Sequence, residues 1–270
     1  MSENSTNLHV NDTGGTGRAV VLIHGWPLSS ESWSAQIGPL QDSGYRVITY
    51  DRRGFGRSQK PAAGYDYNTF ADDLHDVLES LQLQQVTLVG FSMGGGEVAR
   101  YAHRHGTARL HSVVFAAAVP PYLMRSSQNP DGPLDEETFL QMRGSLEQDR
   151  EAFFEDFTTG FFSVGDELTV TEQQRQEALD MAKQSDQAAA LASMDAWAQT
   201  DFRDDLRAID VPTLVIHGDS DATVPLEGSG QRTHQAVSDS ELKVVQGAPH
   251  GLNVSHAEVF NEALLSFLQR

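Results

Sequence analysis

Cysteine is absent from this sequence of 270 residues. That excludes disulfides, thiolate nucleophiles, iron–sulfur clusters and thiolate zinc sites, and it leaves the redox compartment open. Lysine is scarce: Lys60, Lys183 and Lys243 are the only three, and arginine carries nearly all the basic charge. Positive charge as a whole is short, with 19 Lys and Arg against 38 Asp and Glu and a formal net charge of −19. Such a surface repels phosphate backbones and anionic lipid, so neither nucleic acid nor membrane is an expected partner. The acid excess fits a saline setting or simply a well-solvated surface. No stretch approaches the ~20 apolar residues of a membrane span. Residues 1–7 lack the basic and apolar regions of a signal peptide, so the default expectation is a cytoplasmic protein. Asn4-Ser5-Thr6, Asn11-Asp12-Thr13 and Asn253-Val254-Ser255 match the glycosylation pattern, but without export they are chance matches.

What is present is an ordinary enzyme-like composition, 39% hydrophobic and 21% charged, long enough for one large domain or one domain with an insertion. Short apolar runs rich in Val, Leu and Ile at 19–24, 46–50, 86–90, 112–117, 213–217 and 242–245 predict parallel strands covered on both faces. Helical periodicity lies between them. Phe70, Leu74, Val77, Leu78 and Leu81 form one stripe, with Asp72 and Asp73 placed in a first turn. Ser255 with Glu258 reads as a capping box before a final helix through Leu268. This alternation predicts an α/β fold, a mostly parallel doubly wound sheet whose ligands bind beyond the carboxyl ends of the strands. It breaks between 119 and 210, where the turn Asn129-Pro130-Asp131-Gly132-Pro133 is followed by helical segments with no convincing strand. The expected organisation is a core of 1–118 and 211–270 with a helical cap of 119–210.

The strongest chemical signal is Gly90-Phe91-Ser92-Met93-Gly94, directly after one predicted strand and before a helix. A nucleophile elbow needs that context, because the serine sits on a strained turn and small flanking residues let the backbone pass. A serine hydroxyl also needs a base, and in elbow-bearing hydrolases the chain order is nucleophile, acid, histidine. The candidate base is His250, in the loop Gly247-Ala248-Pro249-His250-Gly251 after the last strand. The other histidines fit less well. His103 and His105 fall on the helix after the elbow as solvated residues. His9, His75, His111, His234 and His256 lie away from the sheet's carboxyl edge, and His24 and His217 brace strand-end loops. Two candidate acids follow the penultimate strand. Asp221 is favoured because Ala222-Thr223-Val224-Pro225 after it turns the chain away, and Asp219 is the alternative, a carboxylate that satisfies loop amides. Asp221 would hold the histidine tautomer. The backbone amides of Met93 and Trp26 are the expected oxyanion donors, with Pro27 stiffening the second loop.

These segments resemble the cofactor-free haloperoxidases, a branch of the α/β-hydrolases that also contains arylesterases, perhydrolases and γ-lactamases. The resemblance rests on 20–27, ending His24-Gly25-Trp26-Pro27, and on 45–58, ending Asp51-Arg52-Arg53-Gly54-Phe55-Gly56-Arg57-Ser58. It continues through Gly64-Tyr65-Asp66-Tyr67, 90–101, 129–132 and 247–252, nearly the whole chain. It implies a helical cap on an α/β-hydrolase core, the triad Ser92, Asp221 and His250, the oxyanion amides of Trp26 and Met93, and neither metal nor haem nor other cofactor. The implied chemistry is cleavage of small esters through an acyl-enzyme, with peroxide able to replace water and release a peracid that oxidises halide. Related proteins are often oligomeric, so a homo-oligomer is compatible with the resemblance, although no interface signature stands out. One departure is the short segment before Val20, which supplies one edge strand from about Leu8 to Asn11 where the family usually has two.

Phe91, Met93, Leu123, Met124, Phe157, Phe161, Met194 and Trp197 are the candidate pocket lining. Amide or lactam cleavage on the same residues is the alternative chemistry, and a hydrolase-fold receptor for a small molecule is the alternative from another class. Dehalogenase and epoxide hydrolase chemistry is disfavoured, since those relatives carry a carboxylate where this chain has Ser92.

Overall fold

The computed structural model describes residues 6–270. The expectation about a signal peptide and the Asn4 tripeptide fall largely on residues 1–5, outside those described. Seven strands form one sheet, β1 (Val10–Asp12), β2 (Ala19–Ile23), β3 (Arg46–Tyr50), β4 (Val86–Phe91), β5 (Leu110–Ala116), β8 (Thr213–Gly218) and β9 (Ser240–Val245). β6 (Ser163–Val164) and β7 (Glu167–Leu168) make a separate two-stranded ribbon. The order is β1-β3-β2-β4-β5-β8-β9. Within this sheet every pairing is parallel except that of β1, which lies antiparallel along β3 with Val10 opposite Tyr50. All six predicted parallel strands are present, but β9 is the far edge of the sheet and only Val245 in it is buried, so that run is not covered on both faces as expected. Among the described residues the short N-terminal segment supplies a single edge strand, shifted to Val10–Asp12.

Strand periodicity divides the core into two layers. Val21, Ile23, Ile48 and Leu88 face one cluster, whereas Val20, Leu22, Val47 and Val89 face the other. The first layer packs against α2 (Tyr67–Ser80), α3 (Met93–His105) and α9 (Gly230–Ala236). The second packs against α1 (Ser34–Asp42) and, past the short α10 (Leu252–Ser255), against α11 (Ala257–Leu268). Alternate side chains thus bury on both sides, which is why these strands read as continuous apolar runs.

Two helix starts differ from expectation. The stripe from Phe70 is real, but Asp72 and Asp73 lie past the first turn. Asp66 caps α2 instead, accepting from the amides of Asn68 and Thr69 at 3.0 and 3.1 Å. Asp73 pairs with Arg53 at 2.6 Å, and Asp72 pairs with Arg104 and His105 on α3. Ser255 makes no capping box: it closes α10, and its hydroxyl donates back to Gly251 O. α11 starts at Ala257 without a side-chain cap.

Between β5 and β8 the chain forms α4 (Glu136–Gln148), α5 (Arg150–Phe161), the β6–β7 ribbon, α6 (Glu172–Gln184), α7 (Gln187–Gln199) and α8 (Arg203–Leu206). The predicted helical stretch is borne out, with the ribbon as an addition that no apolar run announced. Among the described residues no helix is long and apolar enough to cross a membrane.

Strand order reverses between β2 and β4: the chain leaves β2 toward β3 on one side and returns as β4 on the other. Open parallel sheets bind ligands at such a switch point, beyond the strands' carboxyl ends. Ile23 and Phe91 are the last residues of those two strands, and the segments that follow them build the site.

Candidate active site

Ser92 occupies the single position between β4 and α3, with φ 53° and ψ −118°. Positive φ is costly for a residue with a side chain, and the tight packing around the turn holds it there. A Cβ on Gly90 would stand 2.5 Å from Gly94 O, and one on Gly94 would stand 2.5 Å from Ile23 O. Neither position accepts a side chain. The hydroxyl is therefore presented at the N-terminus of α3, where free amides favour negative charge.

Three elements bring their side chains together here. His250 Nε2 lies 2.9 Å from Ser92 Oγ, and His250 Nδ1 lies 2.7 Å from Asp221 Oδ2. All three residues are buried. The ring of His250 is held by Phe91 at a centroid distance of 5.2 Å and, edge to face, by Phe161 at 4.9 Å. With Nδ1 facing a carboxylate, the proton sits on Nδ1 and Nε2 is left as the acceptor for the serine hydroxyl.

The two acids separate cleanly. Asp219 points away and accepts from Gly247 N at 2.7 Å and from Ser220 Oγ. Asp221 turns inward, and its Oδ1 accepts from the amides of Thr223 and Val224 at 2.9 and 2.7 Å. Burial alone would raise the Asp221 carboxyl. The charge of His250 and the contact with His217 outweigh it and hold the group well below the usual carboxylate range.

The expected oxyanion amides are aimed by the carbonyls of their own peptides. Ser92 O, across the peptide from Met93 N, accepts from Gly95 N and Val119 N. Gly25 O, across the peptide from Trp26 N, accepts from Leu28 N at 3.0 Å and from His24 Nδ1 at 2.8 Å. In a trans peptide the N–H points opposite to its carbonyl, so anchoring each oxygen directs each N–H outward. Among the described residues neither amide has a hydrogen-bond partner of its own. His24 is fully buried, and its Nε2 accepts from Arg52 N at 2.9 Å, which fixes its proton on Nδ1. Burial first, and then the Arg52 charge, push its pKa down to about 3. Behind it, Arg52 donates to His24 O and to Glu97, both fully buried, and Tyr50 also donates to Glu97.

Ser92 opens into a cavity of about 290 Å³, near the lower end of small-molecule sites. Of the residues predicted to line it, Leu123, Phe157 and Trp197 do so. The others are set back. Phe91 and Phe161 hold the His250 ring, Met194 is fully enclosed in the core, and Met93 is buried beneath the elbow. Met124 packs against the core from a strand-like segment tied to Ala198 O and Leu134. Apolar character at these positions reflects packing against the site's supports. Trp26 lines the cavity as well, its Nε1 donating to Ala190 O on α7 at 3.0 Å.

Sequence reasoning missed Val119, Leu134, Met142 and Asp156 in the lining, along with the 222–225 wall. The wall was within reach, since it follows Asp221 directly. Met142 and Asp156 carry no signal distinguishing them from other residues of the helices between β5 and β8. His105 is half-buried against His75 and Asp72, not solvated. His24 and His217 do brace loops, and both of those loops belong to the site. Among the described residues no group of three or more His, Asp or Glu side chains is arranged to hold a metal ion.

Comparison with known proteins agrees with this architecture. A family model described as the alpha/beta hydrolase fold matches residues 18–257. The chain is 45% identical to a putative non-heme chloroperoxidase of Synechocystis, over 94% of this chain and 92% of that protein. It is 36% identical to a bifunctional esterase/perhydrolase of Acinetobacter calcoaceticus, over 99% and 98%. The crystal structure of a bromoperoxidase from Bacillus anthracis superposes with a TM-score of 0.96 at 53% identity, covering 98% of this chain and 96% of the other. The chain belongs to the α/β-hydrolase family, in its non-heme haloperoxidase branch.

Proposed function

We propose that this chain is a serine hydrolase of small carboxylic esters, with Ser92 as nucleophile, His250 as general base and Asp221 as its orienting acid, and with perhydrolase activity on the same residues. The observation that carries the reading is the unbroken path from Asp221 Oδ2 through His250 to Ser92 Oγ, at 2.7 and 2.9 Å, opening into a small apolar cavity.

In this reading His250 takes the Ser92 proton as Oγ attacks the ester carbonyl carbon. The carbonyl oxygen gains the negative charge and is received by the N–H groups of Trp26 and Met93, already aimed before the reaction. His250 returns the proton to the departing alkoxide, which leaves an acyl group on Ser92. Water, deprotonated by His250, releases the carboxylic acid. Hydrogen peroxide attacking in place of water releases the peracid, which oxidises bromide in solution to hypobromous acid and reverts to the carboxylic acid. Asp221 stabilises the imidazolium formed twice in each cycle. Residues 119–210 serve as the cap, since they supply Leu123, Leu134, Met142, Phe157 and Trp197 to the cavity. The relatives' names, a chloroperoxidase and an esterase/perhydrolase among them, support the same chemistry.

The test is hydrolysis of a short-chain nitrophenyl ester by wild type and Ser92→Ala, repeated with peroxide and bromide beside a halogenation dye. Ser92→Ala is expected to lose more than about 10³-fold in kcat while keeping its fold, and dye bromination by wild type should require a carboxylic acid or ester. Substantial ester turnover by Ser92→Ala would overturn the assignment. Serine-dependent hydrolysis without bromination would remove the perhydrolase part alone.

A further inference from the structure

A second histidine stands against the acid. His217 is the penultimate residue of β8, fully buried, and its Nε2 lies 2.8 Å from Val224 O and 3.3 Å from Asp221 Oδ2. An imidazole nitrogen between a carbonyl and a carboxylate must carry the proton, since both neighbours are acceptors. Its other nitrogen, Nδ1, is buried without a partner among the described residues, and Gly230 packs so close that a Cβ there would come within 2.5 Å of it.

Resting on the reading of Ser92, His250 and Asp221 as a triad, we infer that His217 is a positioning residue for the acid: its Nε2–H pins the loop that carries Asp221 and shares the carboxylate's charge with His250. Val224 is gripped at both ends of its backbone. Asp221 Oδ1 accepts from its N–H, and His217 donates to its C=O. The side chain that orients His250 and the 222–225 cavity wall are therefore fixed as one piece. The carboxylate oxygen that faces His250 is the one His217 also faces.

The titratable groups that face Asp221 are His217 from β8 and His250 from the loop after β9, while Asp219 turns outward to Gly247 N. An N–H dipole on Oδ2 offsets part of the carboxylate charge. Its removal leaves more of that charge to stabilise the His250 imidazolium, so the free base appears at higher pH. The loop also loses its anchor, which misaligns His250 in the reaction more than it weakens ester binding.

The experiment compares His217→Leu, His217→Gln and His217→Asn on the full chain, with pH profiles of kcat/KM for a short-chain nitrophenyl ester and Ser92→Ala run in parallel. A glutamine amide places its N–H near the original Nε2, whereas an asparagine amide reaches only the Nδ1 position. The expected result is a roughly tenfold loss in kcat for His217→Leu, the scale of one hydrogen bond to a charged group. Its acidic limb should shift upward by about half a pH unit. His217→Gln should recover most of both, and His217→Asn neither. If His217→Leu fails to fold, the contrast between Gln and Asn carries the test. An unchanged rate and limb in folded His217→Leu would overturn the inference, as would equal loss in all three variants with no shift of the limb. Those results, beside an inactive Ser92→Ala, would leave the triad standing, whereas an active Ser92→Ala would remove the triad and the inference together.

Discussion

His24 shows how a single buried side chain can act on chemistry it never touches. Its Nδ1–H holds Gly25 O, and the rigid peptide plane converts that anchor into a direction for the Trp26 N–H. Loss of one oxyanion donor costs about 10²–10³ in rate, and a donor that is merely loosened should cost less. His24→Leu should therefore lower kcat by roughly tenfold with little change in KM, because the amide matters most when charge has built on the oxygen. His24→Asn puts an amide N–H near the Nδ1 position and should restore most of the rate. Steady-state kinetics of the two variants check this. Equal impairment of both, with KM rising in step, would mean that His24 only fills space.

At the scale of elements, the cavity is made where α4, α5 and α7 meet the loops after β2, β4 and β8. Phe157 on α5 stands edge to face with Trp26 at 5.1 Å and near Phe161 at 5.8 Å, and its ring forms part of the cavity wall. Phe157→Ala should lengthen the pocket. Each methylene a longer acyl chain then buries is worth ~0.8 kcal/mol, about fourfold in kcat/KM. A series of nitrophenyl esters from acetate to octanoate should shift its optimum by two or more carbons. An unmoved optimum would place the acyl chain elsewhere. This is also the scale at which sequence and structure part company. Strands β2, β4 and β8 were legible because burial on both faces leaves an unmistakable apolar run. Ser92 and Asp221 were legible because each follows the carboxyl end of such a strand, and His250 because it follows the apolar end of the edge strand β9. The stretch 119–210 was legible only as helical. Which of Phe157, Phe161 and Met194 meets the cavity depends on how α5 and α7 are rotated, and helical periodicity fixes an apolar face without naming what that face meets. The roles of His24 and His217 were hidden for a related reason. A histidine before a glycine at a strand end says nothing about the partner that the fold brings to it.

The whole molecule carries a net charge of −19 and several buried ionisable groups whose titration is coupled to folding. For His24 the folded pKa is about 3 against an ordinary imidazole value of 6.5. Below 6.5 the unfolded chain binds a proton that the folded chain refuses, so this contribution to stability is complete above that pH and is lost as pH falls toward about 3. Within that window the slope approaches ~1.4 kcal/mol per pH unit. Asp221, whose folded pKa is depressed, adds a loss of the same sign that begins only below the ordinary carboxylate value of 3.8. Glu97 and Asp73, raised first of all by burial, act in the opposite sense. So does the relief of repulsion as surface acids become neutral. The net acid sensitivity is therefore a sum of opposed terms, and His24→Asn isolates one of them, since that variant retains the acidic surface but not the imidazole. Urea unfolding at pH 7, 6, 5 and 4 should show wild type losing stability faster than His24→Asn from pH 6 downward, so that the gap between them at pH 7 narrows or reverses by pH 4. Parallel pH dependences for the two proteins would mean that His24 is protonated in the folded state after all. The imidazolium would still hold Gly25 O through Nδ1–H, but the Arg52 N–H would then lack the Nε2 acceptor that fixes the ring.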